Sequence, residues 1–310
     1  MFALLGAGGV LFYAFLRYPE SMPPLPVSGS ESFDKKAWLV RDALHRHANI
    51  DIIAAGSSMT LNDLSSDVLM EILPDHRVLN IAGWAMRISD SAHWLQHVLK
   101  FFHPKTVIML VSALDFYSQE VSLDMSDGEL DEFVAAPKSM SVCVLWLRKF
   151  SFLNYARDWR IRQRMGRASY YSLQIDQGGA VPIEVFYPNV DPVRWALKPN
   201  ATLLEEGQYL SLSRLAGELR QRGVDLIVVQ APMRAIAAKD GTLSALQPHW
   251  RRVELILRSN GERFISAEEQ QPLDDSYFCD YLHLNVKGMM QLTRELTRIL
   301  RIEPLAGLEK

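Results

Sequence analysis

Two stretches far apart in the chain carry residue types that can act together. The first is Gly56-Ser57-Ser58, which follows the apolar run Asp51-Ile52-Ile53-Ala54-Ala55 and leads into Met59-Thr60. The second is Asp280-Tyr281-Leu282-His283. A serine hydroxyl is a poor nucleophile until a base removes its proton, and a histidine base works best when an acid fixes its tautomer. Asp280 and His283 are three apart, just before a helical pattern, so the carboxylate can turn back to Nδ1 while Nε2 faces a serine. The chemistry implied is attack of a serine oxygen on a carbonyl carbon, giving a covalent acyl intermediate. On its own, Asp-x-x-His also fits a helix-capping aspartate beside a surface histidine. Its pairing with a strand-ending serine favours the catalytic set Ser58, His283 and Asp280.

The elements that must position these groups are legible in the apolar pattern. After Ser58, residues Leu61, Leu64, Val68, Leu69 and Ile72 fall on one face of a 3.6-residue period, which predicts a helix starting at the serines. Backbone N–H groups at such a start favour developing negative charge. In a strand-turn-helix elbow, the residue after the glycine secures the turn and the next can point outward. Ser57 takes the first role and Ser58 the nucleophile's. A helix is expected over Ser32 to His47, and strands at Asp51 to Ala55, Arg77 to Ala82, Thr106 to Val111, Asp225 to Val229 and Arg263 to Ile265. Amphipathic helices lie between them, and Val286 to Leu300 closes the chain. Nearly continuous apolar strands separated by helices predict a parallel sheet covered on both faces, with strand order 2-1-3-4-5. Ligand sites in such sheets lie beyond the carboxyl ends of the strands. Ser57, Ser58, Gly83, Asp115, Pro232 and His283 all follow strands and are expected on one rim.

The remaining chain narrows the function classes. Net charge is −3 over 310 residues, which implies no general nucleic-acid surface. Cys143 and Cys279 make neither a disulfide framework nor a thiolate metal site; two buried thiols or a single bridge fit. No glycine-rich dinucleotide or nucleotide-phosphate signature is present, and no histidine pair forms a metal motif. His93 and His97 share a helix face that reads as helix surface. No cofactor and no metal is expected. Met1 to Leu16 contains no charged residue and at 1.5 Å per residue would span roughly 24 Å, slightly short of the hydrocarbon core; because it lacks a polar face and leads into a linker, residues 1–18 read as a membrane anchor. A cleaved signal or a buried helix are the other readings. Residues 19–32 form a Pro-rich linker, and 33–310 read as one α/β domain with an insertion at about 116–200. Within it, Asp124 to Glu132 reads as a solvated acidic loop. Arg148 to Arg167, with interleaved aromatics, reads as a basic helix lying on a membrane or covering the core.

Gly56-Ser57-Ser58 resembles the Gly-Asp-Ser motif of the SGNH (GDSL-type) hydrolase superfamily, with Ser58 at the nucleophile position. Asp280-Tyr281-Leu282-His283 is similar to that superfamily's Asp-x-x-His block. The resemblance covers about residues 50–115 and 225–300. It implies a flavodoxin-like three-layer α/β sandwich with a central five-stranded parallel sheet. It also implies an oxyanion hole built from the N–H groups of Ser58 and Gly83. Where the superfamily has Gly-x-Asn-Asp, this chain has Ser112-Ala113-Leu114-Asp115, so Leu114 replaces the oxyanion asparagine. The Gly-Ser-Ser variant with an amino-terminal anchor resembles DltD-like and polysaccharide O-acetylation members. That resemblance implies an ester hydrolase or O-acyltransferase acting on a cell-envelope or exported polysaccharide or a lipid-linked substrate. The implied partners are an acyl donor, a carbohydrate or lipid-linked acceptor, the membrane, and a membrane-embedded acyl-transfer protein. The implied location is the inner membrane, with the domain facing the periplasm or exterior; a cytoplasmic location is the alternative. The competing function is a non-catalytic binding or assembly protein of the envelope, which Leu114 favours.

Overall fold

In the computed structural model the described residues are 30–118, 126–135 and 168–300, with isolated positions at 6, 9, 10, 13, 28 and 153. The expected anchor helix over 2–16 and the basic stretch from Arg148 to Arg167 lie outside the described residues, as does Cys143. Among the described residues, no helix is long and apolar enough to cross a membrane.

Five strands, β1 (Ile52–Ala54), β2 (Val78–Asn80), β3 (Thr106–Val111), β4 (Asp225–Gln230) and β5 (Arg263–Ile265), form one parallel sheet. Its order is β2-β1-β3-β4-β5, as the sequence predicts. Strand residues alternate between two cores. Ile53, Leu79, Val107, Met109, Leu226 and Val228 face one layer. That layer is made by α1 (Glu31–His45), α4 (Ile88–Val98), α5 (Asp127–Ala135), α7 (Glu206–Gln221) and α9 (Thr242–Ser259). Ile52, Ala54, Val78, Ile108, Leu110 and Val229 face the other. Its helices are α2 (Ser58–Asp63), α3 (Ser66–Ile72) and α10 (Val286–Leu300). Two shorter helices, α6 (Pro192–Ala196) and α8 (Ile236–Lys239), sit in the connections.

Two expectations are corrected. The single helix predicted from Ser58 to Ile72 is broken, because Leu64 is extended and Ser65 starts a second helix. The Ser65 hydroxyl accepts the Val68 N–H, while the Ser65 N–H donates to Thr293 on α10. The acidic stretch read as a loop contains α5, which buries Leu130, Phe133 and Val134 and leaves its acids on the outer face.

The end of β1 is fixed by a hydroxyl. β1 and β3 stay paired as far as Ala54 and Ile108, and the Ala55 N–H still reaches the Ile108 carbonyl. Beyond that point Thr60 Oγ1 fills the gap. It accepts the Leu110 N–H at 2.9 Å and lies 3.0 Å from the carbonyls of both Ala55 and Leu110. Gly56 turns the chain here at φ 141°, and a Cβ on it would sit 2.4 Å from Thr60 Oγ1.

Gly223 provides a comparison, because its φ is also positive (70°) but nothing lies near the position of an added Cβ. Gly223→Ala should cost about 1 kcal/mol of unfolding free energy, the price of the backbone conformation alone. Gly56→Ala adds the clash and should cost about 2–4 kcal/mol. Denaturant melts of both variants check this, and equal losses would mean that the Thr60 contact yields freely.

Candidate active site

β1 delivers Gly56-Ser57-Ser58 to the carboxyl end of the sheet, and Ser58 is the first residue of α2. Ser57 is the helix N-cap: its hydroxyl accepts the Met59 N–H at 3.2 Å and is also hydrogen-bonded to Asp115. Ser57 therefore faces the protein and Ser58 the rim. The loop before α10 brings His283 to meet it. His283 Nε2 lies 2.9 Å from Ser58 Oγ, across 225 residues of sequence. His283 Nδ1 lies 2.8 Å from Asp280 Oδ2. With the ring proton on Nδ1 shared with Asp280, Nε2 is left to accept the serine proton.

The acid and base form one local unit. Asp280 Oδ1 accepts the N–H groups of Leu282 and His283, at 2.9 and 2.7 Å, leaving Oδ2 for the imidazole. Burial pushes the Asp280 carboxyl upward, but the His283 ring and these N–H donors more than offset it and hold the group below the usual carboxylate range. For His283, burial alone would lower the pKa. The Asp280 carboxylate, its hydrogen bond and the more distant Asp63 outweigh that, so the imidazole titrates above its ordinary 6.5.

Two further buried carboxyls lie behind the site. Asp115 accepts the Ser112 N–H at 2.8 Å, and burial lifts it to about 6 against the opposing pull of Ser112, Ser57 and Arg87. It supports Ser57 rather than reaching His283. Asp63 accepts the Leu284 N–H at 2.9 Å through Oδ1, while its buried Oδ2 has no partner among the described residues. Burial pushes this carboxyl well above the usual carboxylate range, against the opposing pull of His283 and the Leu284 N–H.

The oxyanion donors expected from the sequence are only half in place. Ser58 opens α2, so its N–H has no intrahelical acceptor. Gly83 does follow β2, but its N–H donates to the Gly56 carbonyl at 3.1 Å and is not presented to the site. That expectation is corrected: the loop after β2 closes on the elbow itself. Leu114, in the position of the missing asparagine, contributes its carbonyl to Arg87 Nη1 at 2.5 Å. Pro232, expected on the same rim, follows β4, but it is not among the residues that line the cleft at the triad.

That cleft, of about 160 Å³, contains groups that no motif marked. Trp84, Tyr170, Tyr171, Ile183 and Arg194 line it beside Ser58 and His283. Asn62 also lines it and donates to the Val181 carbonyl at 2.8 Å. Trp84 and Tyr171 pack edge to face with centroids 5.8 Å apart. Most of this wall belongs to residues 168–200, the end of the insertion, and it is tied down by Asp176. Asp176 accepts the N–H groups of Ser66 and Asp67 at the start of α3 and of Gly178, Gly179 and Ala180 in its own turn. Cys279 is buried, its thiol pushed up by burial and turned to the carbonyls of His283 and Leu284.

Among the described residues, one set of side chains could accept a metal. His93 Nε2, His97 Nε2 and Asp127 Oδ1 come within 4.8 Å of one another where α4 meets α5. His93 Nε2 is hydrogen-bonded to Asp127 at 2.9 Å and His97 Nδ1 to Asp131 at 2.7 Å, Lys100 pairs with Asp131, and none of these residues lines the cleft.

A five-stranded 2-1-3-4-5 parallel sheet with helices on both faces, carrying a strand-end serine and an Asp-x-x-His loop on one rim, is a flavodoxin-like three-layer α/β fold. No family model and no curated protein matches the chain. Among solved structures it is similar to a lipase/acylhydrolase from Enterococcus faecalis, at 12% identity and a TM-score of 0.42 over 83% of this chain and 100% of the other. A carbohydrate acetylesterase from Sinorhizobium meliloti matches at 9% identity and TM-score 0.42, covering 82% of this chain and 99% of that one. A catalytic mutant of an acetylxylan esterase from Geobacillus stearothermophilus matches at 14% identity and TM-score 0.44, covering 83% and 97%. Likenesses this distant carry no weight for function, which rests on the chain's own geometry.

The pH dependence follows from His283. A protonated imidazole cannot take the Ser58 proton, so reactivity should fall as pH drops through a midpoint above 6.5. Asp280→Asn removes the charge that raises the imidazole, and should shift the midpoint downward and slow the reaction on the order of 10²–10⁴-fold. The rate of serine modification by a fluorophosphonate, followed from pH 5 to pH 9, measures both. A midpoint that Asp280→Asn leaves unmoved would rule out this coupling.

Proposed function

We propose that the chain carries out serine-dependent acyl-ester chemistry through an acyl-enzyme on Ser58. The observation that carries this reading is the continuous Ser58–His283–Asp280 hydrogen-bonded chain at the mouth of a cleft. Ser58 Oγ attacks the ester carbonyl carbon as its proton passes to His283 Nε2. The tetrahedral intermediate collapses, the bond to the leaving alkoxide oxygen breaks, and His283 returns the proton to that oxygen. Water or a sugar hydroxyl then attacks the acyl carbon, giving its proton to His283, and the freed Ser58 oxygen recovers it. Asp280 holds the imidazole tautomer and faces the imidazolium formed in each half.

Hydrolysis and transfer share the first half, and the proposal takes in both: an esterase, or an O-acyltransferase with a carbohydrate or lipid-linked acceptor of the cell envelope. The aromatic walls at Trp84, Tyr170 and Tyr171 suit the apolar face of a sugar ring. The uncharged segment from Met1 to Leu16 supports an inner-membrane anchor, and with the domain facing outward the basic stretch from Arg148 to Arg167 favours transfer to a cell-envelope polymer. There a membrane-embedded partner would supply the acyl group.

A second reading has its own observations. Leu114 stands where the oxyanion asparagine would be, and the Gly83 N–H is engaged with Gly56. Losing one such donor slows acyl transfer by about 10²–10³. A binding or assembly protein of the envelope that retains the fold would need neither donor.

Covalent labelling separates the two. A fluorophosphonate should add one adduct to the wild type, detected by intact mass and mapped to the peptide carrying Ser58. Ser58→Ala should abolish it. Ser57→Ala should retain it, because that variant loses a capping hydroxyl bond worth about 1 kcal/mol and not the nucleophile. An adduct lost on Ser57→Ala but kept on Ser58→Ala would overturn the assignment, and folded wild type that never labels favours the binding protein.

A further inference from the structure

Among the described residues lining the cleft, Arg194 is the one with a full formal charge that the acyl chemistry above does not use. It stands on α6, whose start is set by Asp191 accepting the N–H groups of Val193 and Arg194. Its guanidinium carbon lies 4.5 Å from the ring centroid of Tyr170 and 4.9 Å from that of Tyr171. Arg194 Nη2 donates to the Tyr171 hydroxyl at 2.6 Å. The Tyr170 hydroxyl in turn donates to the Cys279 carbonyl and accepts the Asp191 N–H, so the ring is pinned on both sides. The fork is held in one orientation beside Ser58 and His283 before any ligand arrives.

The charge of Arg194 is only partly answered by the protein. The nearest acid is Asp280, with Nη1 3.7 Å from Oδ2, beyond hydrogen-bond range. That same oxygen is bonded to His283 Nδ1 at 2.8 Å. Among the described residues, the Tyr171 hydroxyl is the side-chain acceptor that the guanidinium reaches by a hydrogen bond. Its side chain remains 28% exposed, against 7% for Asp280.

Its position carries a cost that a supporting role does not explain. Arg194 opposes the charging of His283, the step that each half of the acyl reaction requires. A fixed cation beside a base that must become cationic slows the reaction unless something neutralises it. An anion seated on the guanidinium would remove that opposition at the moment a ligand binds. A guanidinium fork is also the side chain best matched to a planar or tetrahedral oxyanion.

We propose that Arg194 reads an oxyanion, a carboxylate or a phosphate, on the molecule bound beside Ser58. The site thereby selects negatively charged carbohydrate esters or acceptors over neutral ones. The substrate class rests on the acyl-ester reading, whereas the anion preference is a binding property that is measured without turnover.

The test is calorimetric titration of the full chain carrying Ser58→Ala with glucuronate, glucose 6-phosphate and glucose. At least one of the two anions should bind about tenfold or more tighter than glucose, and the stronger one identifies carboxylate or phosphate as the group read. Arg194→Gln in the same background should abolish the preference, and Arg194→Lys should keep part of it. The thermal midpoint of each variant should stay within about 2 °C of the parent, which separates lost recognition from lost fold. Equal binding of all three sugars, no binding of either anion up to about 50 mM, or a preference that survives Arg194→Gln would each overturn the proposal. Failure of the serine reading is distinct: wild type would not label with fluorophosphonate, while the anion preference and its dependence on Arg194 persisted.

Discussion

The Thr60 hydroxyl is the joint on which the catalytic rim depends. Where β1 and β3 part, the backbone groups of Leu110 and Ala55 would be buried without partners, and each orphan of that kind costs about 1–3 kcal/mol. One side-chain hydroxyl accepts the Leu110 N–H and offers its single proton to the two carbonyls, and in doing so it pins the first turn of α2 to the central strand. Gly56 must then lack a side chain, because the space a Cβ needs is taken by that oxygen. The tight turn that follows leaves Ser57 to cap α2 and Ser58 to face the rim. The partner elements use the same device. Asn80 donates from its amide to the Thr60 carbonyl and accepts the Ala82 N–H, which fixes the path out of β2. The carboxyl end of the sheet is therefore closed by side-chain amides and hydroxyls together with a few backbone bonds past the strands, and the site is built on that closure.

Around His283 the carboxyls are sorted by what they touch. Asp280 accepts two backbone N–H groups and an imidazole, and stays charged. Asp63 has one donor and a buried oxygen with no partner among the described residues, and burial pushes it well above the usual carboxylate range. Asp115 lies between them, with a backbone N–H and the Ser57 hydroxyl as partners. Three aspartates within one neighbourhood are thus held at different points of the scale, and Asp280 is the one whose carboxylate meets the base directly.

How much of this the sequence disclosed depends on whether a feature is local. The strand ends, the sheet order and the meeting of Ser58 with the Asp280–His283 loop follow from apolar runs and fixed spacings, which are local signals. The break at Leu64 was hidden because the apolar face continues through it, although Ser65, a good cap three residues before Val68, was a readable sign. The helix α5 was hidden by its charges, while Leu130, Phe133 and Val134 at helical spacing showed its buried face. Arg194, Tyr170 and Tyr171 lie in a stretch with no period, and they reach the cleft only because Asp176 and Val181 tie that stretch to α2 and α3. The Gly83 N–H was expected in the right place, but its partner is a carbonyl of the elbow, and no residue pattern encodes that choice.

The two hydrogen bonds of the triad differ in what holds them. Asp280 and His283 belong to one four-residue loop whose own backbone N–H groups fix the carboxylate, so their spacing is a local property of the chain. Ser58 and His283 belong to opposite ends of the sequence, and their spacing is the sum of everything packed between α2 and α10. Mechanically, the first bond is a rigid link and the second a tolerance. Any slackening of the fold, by heat, by a distant cavity or by a poorly seated insertion, opens the gap between nucleophile and base while leaving the base and its acid as they were. The protein would lose its reactive serine well before it lost its tuned histidine.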